Sequence, residues 1–343
     1  MAPDVQQDPR IDPRIKALLS LIPNETPRNV ASRDELLALA NTPEAHAQQA
    51  ASKMMMDLCD DENVAPSAGL RFSTFEVTSQ PDGNTILLQL VRPDHDDEVA
   101  CVYYIHGGGM MSLSSFYGNY RAWARMIAAK GVAVVLVEFR NALYPSAVPE
   151  VAPFPAGLND CLSGLYWVLE HTRELGVDPR RVVLSGESGG GNLALATALS
   201  LTRRGETHLV KGVYVMCPYI AGQWPDERLP SSTENNGIFL NLHSNVGVVG
   251  YGLEAFHEKN PLAWPLFASE EDVRGFPPTV ISVNECDPLR DEGIEFYRLL
   301  LRAGVAARGR EVLGTVHGIE VAPIICPEIS HDTARDLAAF ATH

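Results

Sequence analysis

One serine in this sequence lies in a segment that suits a nucleophile. Residues 186–190 read Gly-Glu-Ser-Gly-Gly, follow the apolar run 182–184, and lead into an Ala- and Leu-rich stretch from Asn192 that is typical of a helix. Glycines beside the serine permit a sharp turn between strand and helix, because backbones without Cβ atoms can pass closely. We therefore predict that Ser188 is a nucleophile, lifted clear of a sheet near the positive end of the following helix.

A second glycine-rich segment, His-Gly-Gly-Gly-Met at residues 106–110, follows the apolar run 99–105. Amide N–H groups in such a loop can point at a carbonyl oxygen that becomes negative during acyl transfer, so the segment predicts an oxyanion hole. A phosphate-cradling loop is the alternative, but the sequence lacks the Gly-Lys-Ser/Thr that such loops carry. We expect His106 to hold this turn by hydrogen bonding rather than to act as a base.

A carboxylate is needed to orient the base that activates the serine. Residues 284–292 follow the last clear apolar run and contain four carboxylates. Asp287 lies on the loop just beyond the predicted strand, where a side chain can reach across the strand ends, and we predict it as the orienting acid. Glu285 and Asp291 are the alternatives, although Asp291 is better placed in the first turn of the next helix.

The base must be a residue that can take a proton from the serine and return it to the leaving group. His317 lies in residues 314–318, a glycine-containing loop after the weak final strand predicted at 310–313. His331, by contrast, lies in a predicted C-terminal helix and is interpreted as a surface residue. We therefore predict His317 as the general base.

The charge balance excludes several classes of partner. The chain has 343 residues and a formal charge of −16, from 27 basic and 43 acidic residues, without a lysine- or arginine-rich run. Such a field repels phosphate backbones and anionic lipid head groups, so we expect neither nucleic acid nor an anionic polymer as a partner. The length suits one catalytic domain with an inserted lid.

The termini and cysteines favour a cytoplasmic protein. Residues 1–14 lack the basic-then-apolar pattern of a secretory signal, and no apolar stretch approaches transmembrane length, so we expect no membrane insertion. The six cysteines have neither Cys-x-x-Cys nor metal-ligand spacing, and we expect reduced structural thiols. An acidic patch at residues 57–62 lacks the spacing of a calcium loop and is interpreted as a solvated helix end. No metal or cofactor is expected.

Alternation of apolar runs with helical periodicity predicts an α/β fold whose mainly parallel sheet has helices on both faces. Asp-Gly at residues 82–83 predicts a hairpin, so the sheet should begin with an antiparallel pair. The predicted strands are 72–77, 85–91, 99–105, 132–139, 181–184, 213–217, 279–283 and 310–313. The predicted helices between and after them are 120–130, 157–170, 192–203, 293–303 and 332–342.

Two segments do not fit this alternation. Residues 1–64 have helical but no strand periodicity, and residues 219–274 carry Pro, Gly, Asn and aromatic residues without a clear strand. We assign both to a helical cap, with the catalytic domain formed by 65–218 and 275–343. Aromatic side chains of the insertion either line a substrate pocket or form the cap's own core: Tyr219, Trp224, Phe239, Tyr251, Phe256 and Trp264.

Together these motifs resemble the hormone-sensitive-lipase family of α/β-hydrolases. The resemblance covers the chain from about residue 99 to the C-terminus and rests on 106–110, 139–142, 153–157, 186–192, 284–293 and 316–318. It implies an α/β-hydrolase fold with a mostly parallel eight-stranded sheet and a cap built from the N-terminus and an insertion after the sixth strand. It also implies Ser188, Asp287 and His317 as the catalytic triad.

The resemblance further implies that the amides of Gly108, Gly109 and Gly189 form the oxyanion hole. Many relatives carry Ala where this chain has Gly189, but the change keeps the backbone donor. The expected activity is that of a serine carboxylesterase acting on short-to-medium acyl or small-molecule esters, with lactones among them, through an acyl-enzyme.

Three alternatives stay open at this point. A thioesterase, amidase or lactonase of secondary metabolism uses the same triad, because the pocket rather than the triad selects the leaving group. A non-catalytic small-molecule binding protein is less expected, since all three triad residues are present. A long-chain lipase is disfavoured because the sequence has no exposed apolar run. The chain is expected to be a monomer or a homodimer.

Overall fold

The strands of the protein form one sheet. A computed structural model describes residues 4–22 and 27–343. Within these residues the eight strands are β1 (Leu70–Thr78), β2 (Thr85–Pro93), β3 (Val99–Ile105), β4 (Ala133–Glu138), β5 (Val177–Glu187), β6 (Gly212–Met216), β7 (Thr279–Asn284) and β8 (Ala307–Val312).

Helices fill most of the connections between strands. In the described ranges they are α1 (Pro13–Leu19), α2 (Arg33–Ala40), α3 (Pro43–Asp57), α4 (Gly118–Ala128), α5 (Ala156–Glu170), α6 (Thr172–Leu175), α7 (Gly189–Arg204), α8 (Ser231–Glu234), α9 (Val246–Tyr251), α10 (Leu253–His257), α11 (Arg290–Arg302) and α12 (Pro327–Thr342). Short 3₁₀ helices lie at Thr207–Leu209, Pro265–Phe267 and Ile319–Val321.

The order of the strands across the sheet is β1-β2-β4-β3-β5-β6-β7-β8. β1 and β2 form an antiparallel hairpin whose turn places Gly83 at φ 78°, and β2 also pairs with β4 in the antiparallel sense. The remaining neighbours are parallel. This topology confirms the predicted mostly parallel eight-stranded sheet and its antiparallel beginning.

The central strands are buried on both faces, which explains their continuous apolar runs. In β3, Tyr103 packs into the core beneath α5 and α7, while Tyr104 packs into the core beneath α4 and α12. The alternation follows from the two-residue period of a strand, which sends successive side chains to opposite faces. The sheet thus carries helices on both sides and holds its strand ends in fixed relative positions.

Several strands and helices begin earlier in the structure than the sequence predicted. The strand predicted at 181–184 belongs to β5, which begins at Val177, and the strand predicted at 310–313 is β8, which begins at Ala307. β8 is an edge strand with exposed charged residues, so it lacks the apolar signal of its neighbours. The helix predicted from residue 332 is α12, which begins at Pro327.

The N-terminal residues contact the segment 219–274 directly. Val30 and Asn245 exchange two hydrogen bonds between backbone and side chain, of 2.9 and 2.8 Å. Arg10 forms a 2.8 Å ion pair with Glu234. These contacts join two parts of the chain that are more than 200 residues apart.

The acidic patch at the end of α3 is not the solvated helix end that the sequence predicted. The Asp57 carboxylate accepts a 2.9 Å hydrogen bond from the Gly118 amide, the first residue of α4. Asp60 forms a 2.6 Å ion pair with Arg125, whose side chain is buried. The patch therefore attaches the N-terminal segment to α4.

Candidate active site

Ser188 lies at the sharp turn between β5 and α7, with φ 56° and ψ −121°. A positive φ is strained for a residue with a side chain, and here the surrounding backbone maintains it. The Ser188 amide donates to the Met216 carbonyl at 3.0 Å, and its own carbonyl accepts 3.0 Å bonds from Asn192 and Tyr219. The turn thus presents the serine side chain at the carboxyl end of the sheet.

Gly186 and Gly190, on either side of Ser188, have no room for a side chain. A Cβ on Gly186 would lie 2.5 Å from the Gly190 carbonyl, and one on Gly190 would overlap the carbonyl oxygen of Ile105 at the end of β3. Neighbouring backbones therefore pass closely at both positions, as the glycines of the sequence motif predicted.

Asp287 and His317 form a hydrogen-bonded pair. Nδ1 of His317 lies 2.8 Å from Oδ2 of Asp287, and both side chains are buried. The other carboxylate oxygen accepts a 2.9 Å bond from the Leu289 amide, which fixes the orientation of the carboxylate. Burial alone would lower the pKa of His317, but the charge and hydrogen bond of Asp287 raise it above its usual value.

The two alternative carboxylates have other partners. Glu285 accepts a 2.7 Å hydrogen bond from the amide of Gly314, the first residue of the loop that carries His317. Asp291 lies in the first turn of α11, as the sequence predicts, and accepts a 2.7 Å bond from the Ser231 amide. Of the three candidates, Asp287 is the carboxylate that contacts the histidine.

The loop 106–110 lies against the serine turn. An added Cβ at Gly189 would lie 2.7 Å from the Gly109 nitrogen and 2.5 Å from the Met110 nitrogen, so the two segments are in close contact. Gly108 and Gly109 have φ values of 95° and 62°, in the region that favours glycine. The backbone groups of Gly108, Gly109 and Gly189 are therefore brought together next to Ser188.

His106 has a structural position in this loop. Its ring is fully buried, stacks on Phe139 with a centroid distance of 4.3 Å, and its Nδ1 lies 2.9 Å from the Gly107 carbonyl. Burial lowers the pKa of His106. These contacts agree with the expectation that it holds the turn.

Glu187, which precedes the serine, was not singled out from the sequence. Its buried carboxylate accepts hydrogen bonds from the Gly107 amide at 2.7 Å, the Tyr120 hydroxyl at 2.6 Å and the Tyr104 hydroxyl at 2.5 Å. Burial raises the pKa of Glu187 to about 7, although these hydrogen bonds lower it. A carboxylate inside a glycine-rich turn was the available signal, but its partners are distant in sequence.

A cavity of about 680 Å³ opens above Ser188 and His317. Most of its lining is apolar and comes from several separate parts of the chain. The lining residues include Leu18, Leu21, Ile22, Met55, Met56, Leu58, Cys59, Met111, Leu113, Phe239, Leu240, Leu242, Val316, Ile319, Val321, Ala322, Ile324 and Ile325. Gly108, Gly109, Asn119, Tyr120, Glu187 and Tyr219 also border it.

Some apolar side chains at this cavity are exposed to solvent. Leu21 is 75% exposed and Leu58 is 63% exposed, and Met55, Phe239 and Ile324 are each more than two-fifths exposed. The structure thus places apolar surface around the cavity that no continuous run in the sequence had indicated. The lack of an exposed apolar run in the sequence is therefore no argument against a long-chain substrate.

The aromatic residues of the insertion divide between the two expected roles. Tyr219 and Phe239 line the cavity, and Tyr219 also belongs to the hydrophobic core. Trp224, Tyr251 and Trp264 are buried in the hydrophobic core, and Phe256 packs against it. The ring centroids of Tyr251 and Trp264 are 5.5 Å apart in an edge-on arrangement.

A group that includes Cys217 has the spacing of a metal site. Potential ligand atoms of Cys217, Asp287 and His317 lie within 4.8 Å of one another. Burial raises the pKa of the Cys217 thiol well above its usual value, which disfavours the thiolate that a metal needs. Nδ1 of His317 is already bonded to Asp287, so the chemistry of this set fits proton transfer better than ligation.

The fold and this constellation define a serine hydrolase architecture, and the chain belongs to the α/β-hydrolase fold family, whose model matches residues 102–321. Among curated relatives, esterase LipI of Mycobacterium tuberculosis is 31% identical over 263 residues, which cover 76% of this chain and 78% of the relative. The carboxylesterase NlhH of the same species is 32% identical over 248 residues, covering 71% and 74%.

Two solved structures extend the similarity over almost the whole chain. Esterase Est22 is 59% identical with a TM-score of 0.96, covering 98% of this chain and 99% of Est22. Brefeldin A esterase, described as a bacterial homologue of human hormone-sensitive lipase, is 37% identical with a TM-score of 0.86, covering 98% and 94%. The family resemblance drawn from the motifs is confirmed, and the chain is a carboxylic ester hydrolase.

Across the described ranges, none of the helices combines the length and apolarity needed to cross a membrane.

Proposed function

We propose that the protein hydrolyses carboxylic esters with Ser188 as nucleophile, His317 as general base and Asp287 as the orienting acid. The observation that carries this assignment is the 2.8 Å contact between His317 and Asp287 beside the cavity that Ser188 and His317 both line. With Nδ1 bonded to the carboxylate, Nε2 of His317 is the ring nitrogen left to take the serine proton. The Asp287 carboxylate then stabilises the imidazolium that forms.

The negative charge that develops on the carbonyl oxygen is proposed to be held by the amides of Gly108, Gly109 and Gly189. Support comes from the close contact of Gly189 with Gly109 and from the positive φ values of the loop glycines. Backbone donors that are fixed before the reaction need no reorganisation as the charge appears. The start of α7 adds the positive end of its helix dipole.

The reaction proceeds through an acyl-enzyme. As the tetrahedral intermediate collapses, His317 gives its proton to the departing alcohol and an ester bond joins the acyl group to Ser188. Water then enters, His317 takes its proton, and the carboxylic acid leaves as Ser188 regains its hydrogen. These protein groups fill each role in the cycle.

We also propose that residues 1–64 and 219–274 form the cap and that 65–218 and 275–343 form the catalytic domain; residues 1–3 and 23–26 lie outside the described ranges. Both cap segments contribute cavity-lining side chains, including Leu18, Met56 and Leu240. The apolar lining supports neutral, short-to-medium acyl or small-molecule esters as substrates. The six cysteines, all free and buried, support a cytoplasmic location.

The test is hydrolysis of p-nitrophenyl esters from acetate to palmitate by the wild-type protein and the Ser188→Ala variant. We expect turnover of the shorter esters and its loss in Ser188→Ala. Ser185→Ala is the matched control, because this buried serine in β5 makes no side-chain hydrogen bond in the described structure. A fluorophosphonate probe should phosphonylate the Ser188 oxygen with loss of fluoride, adding to this residue the mass of the probe less that of hydrogen fluoride.

Either of two results would contradict the proposal. One is turnover that survives in Ser188→Ala, which would place the nucleophile elsewhere. The other is a folded wild-type protein that neither hydrolyses these esters nor reacts with the probe. Turnover that extends to palmitate would keep the mechanism and overturn the proposed acyl size.

A further inference from the structure

Asn119 has a buried side chain at the catalytic cavity, and its side-chain oxygen has no partner among the residues that the structure describes. It lies in the first turn of α4, is 5% exposed, and borders the cavity above Ser188. Its side-chain oxygen is buried and accepts no hydrogen bond from any part of the described chain. Buried side-chain polar atoms are usually hydrogen-bonded, so an exception beside a substrate cavity points to a bound ligand or an ordered water.

The polar groups near Asn119 are already engaged. The Gly118 amide donates to Asp57, the Tyr120 hydroxyl donates to Glu187, and Arg125 pairs with Asp60. The neighbouring parts of α3 present the apolar side chains of Met55 and Met56 to the same cavity. The Asn119 amide is therefore a polar group in an otherwise mainly apolar wall.

We propose that Asn119 is a specificity residue that hydrogen-bonds a second oxygen function of the substrate, a hydroxyl or carbonyl apart from the ester that reacts. This inference rests on the proposed ester hydrolysis and narrows its substrate class. An amide offers both donors and an acceptor, so rotation of its side chain suits either function. The preferred substrate is a neutral, largely apolar ester that carries one further oxygen group.

The direction of the expected selectivity follows from desolvation. A substrate that lacks the second oxygen leaves the Asn119 amide unpaired when it displaces water from the cavity. Sites built to hydrogen-bond a substrate group reject analogues without that group more strongly than apolar pockets reject a change in size. Asn119 should therefore select substrates that carry a second oxygen group, whereas the apolar walls of the cavity select substrates by their size and shape.

The experiment uses two matched pairs of esters. p-Nitrophenyl 4-oxopentanoate against p-nitrophenyl pentanoate tests the acyl side. 2-(4-Hydroxyphenyl)ethyl acetate against 2-phenylethyl acetate tests the alcohol side. We expect the wild-type protein to prefer the oxygenated member of at least one pair by about tenfold in kcat/KM, and Asn119→Leu to lose that preference.

Controls separate this role from folding and from cavity shape. Asn119→Leu replaces an unpaired buried amide by an apolar group of similar size, so its melting temperature should equal or exceed that of the wild type. Met111→Leu, also in the cavity wall, should change both members of a pair by the same factor. Asn119→Ala provides a second variant if leucine disturbs the fold.

Binding of the same esters to Ser188→Ala, measured by calorimetry, tests recognition without turnover. A preference in binding that Asn119→Leu abolishes would support the inference even if the wild-type protein hydrolysed neither ester. Equal binding and equal kcat/KM within both pairs would overturn it and leave Asn119 with an ordered water alone. A preference that persists in Asn119→Leu would also overturn it, whatever the outcome for ester hydrolysis.

Discussion

The Tyr120 hydroxyl donates a 2.6 Å hydrogen bond to the carboxylate of Glu187, the residue that precedes Ser188 in the chain. The same carboxylate oxygen accepts from the Gly107 amide at 2.7 Å. One buried side chain therefore links the turn that carries Ser188 to the loop that carries Gly108 and Gly109. We infer that Glu187 is a positioning residue whose effect on the reaction is transmitted through these backbones.

We predict that Glu187→Leu lowers kcat by about 100-fold with a smaller change in KM, because sub-ångström misplacement of fixed donors weakens transition-state stabilisation. Glu187→Gln should retain most of the activity. Its carbonyl can keep the bonds from Gly107 and Tyr120, and the Tyr104 hydroxyl can accept from its NH₂ group. Steady-state kinetics with p-nitrophenyl butyrate measures both variants.

Two outcomes would count against this role for Glu187. Glu187→Leu with normal kcat would show that the loop keeps its position without the carboxylate. Equal losses in Glu187→Gln and Glu187→Leu would indicate that the charge, rather than hydrogen bonding, is required.

A second prediction concerns the pH dependence of the reaction. As the proposed general base, His317 must be neutral to accept a proton, and its pKa is raised above the usual 6.5 because the charge and hydrogen bond of Asp287 outweigh the effect of burial. Activity should therefore rise with pH and reach half its plateau above pH 6.5. In Asp287→Asn the midpoint should move to lower pH, and kcat should fall by about 10³- to 10⁴-fold. The profile of kcat/KM from pH 5 to 9 measures both effects.

Asp291→Asn is the control for this prediction. Asp291 accepts from the Ser231 amide and forms a 2.9 Å ion pair with Arg290, away from His317. We expect its pH midpoint to match the wild type. If Asp291→Asn shifted the midpoint and Asp287→Asn did not, the assignment of the acid would be wrong.

A third prediction follows from the lack of space at Gly189. An alanine Cβ there would lie 2.5 Å from the Met110 nitrogen and 2.7 Å from the Gly109 nitrogen. Although many relatives carry Ala at this position, the loop 106–110 of this chain leaves no room for its Cβ, so Gly189→Ala should displace the loop, lowering kcat by about tenfold or more and reducing the melting temperature. Gly191→Ala is the comparator, because its closest contact, the Pro218 Cα, is 3.1 Å away. Similar kcat values in the two variants would contradict this explanation of Gly189.

A fourth prediction concerns the stability of the connection between α11 and the start of the insertion. The buried Glu292 carboxylate accepts from the amides of Ile220 at 2.5 Å and Ala221 at 3.2 Å, and from the Trp224 indole at 2.7 Å. Burial raises its pKa to about 8, although these hydrogen bonds lower it. Between its unfolded pKa near 4.5 and its folded pKa, the folded state holds a proton that the unfolded state has released.

The contribution of Glu292 to stability is therefore complete at low pH and is lost as pH rises through 8. We expect the free energy of unfolding in urea to fall between pH 6 and pH 9, with Glu292 contributing on the order of 1–3 kcal/mol. Glu292→Gln should show a shallower decline, although Glu187 adds a similar dependence with its pKa of about 7. A decline of unchanged slope in Glu292→Gln would refute this assignment.

The succession of strands along the chain and the pairing of Asp287 with His317 could be predicted from sequence, because each depends on local pattern plus a known order of elements. Buried parallel strands require continuous apolar runs, and the turn at Ser188 requires glycines next to it. These constraints act over a few residues. They remain visible without any knowledge of which segments touch.

The surroundings of the site could not be predicted in this way. The bond from Tyr120 to Glu187 joins residues 67 positions apart, and the Gly118 amide meets Asp57 across 61 positions. Neither tyrosine nor aspartate carries a local signal for such a partner. Likewise, the sequence could not indicate Asn119 as a binding residue, because its side-chain oxygen is buried and unpaired only through the packing of α3 against α4.

The cavity is walled by side chains from α1, α3, the 219–274 insertion and the loop after His317, whereas Ser188 and Asp287 are carried by the sheet and its turns. Evolution can thus change Leu18, Met56 or Phe239 and alter which esters are accepted without disturbing bond breaking. The substrate specificity of the enzyme can therefore change while its catalytic residues stay the same. Directed evolution for a new substrate should therefore begin with the codons of these cavity-lining residues.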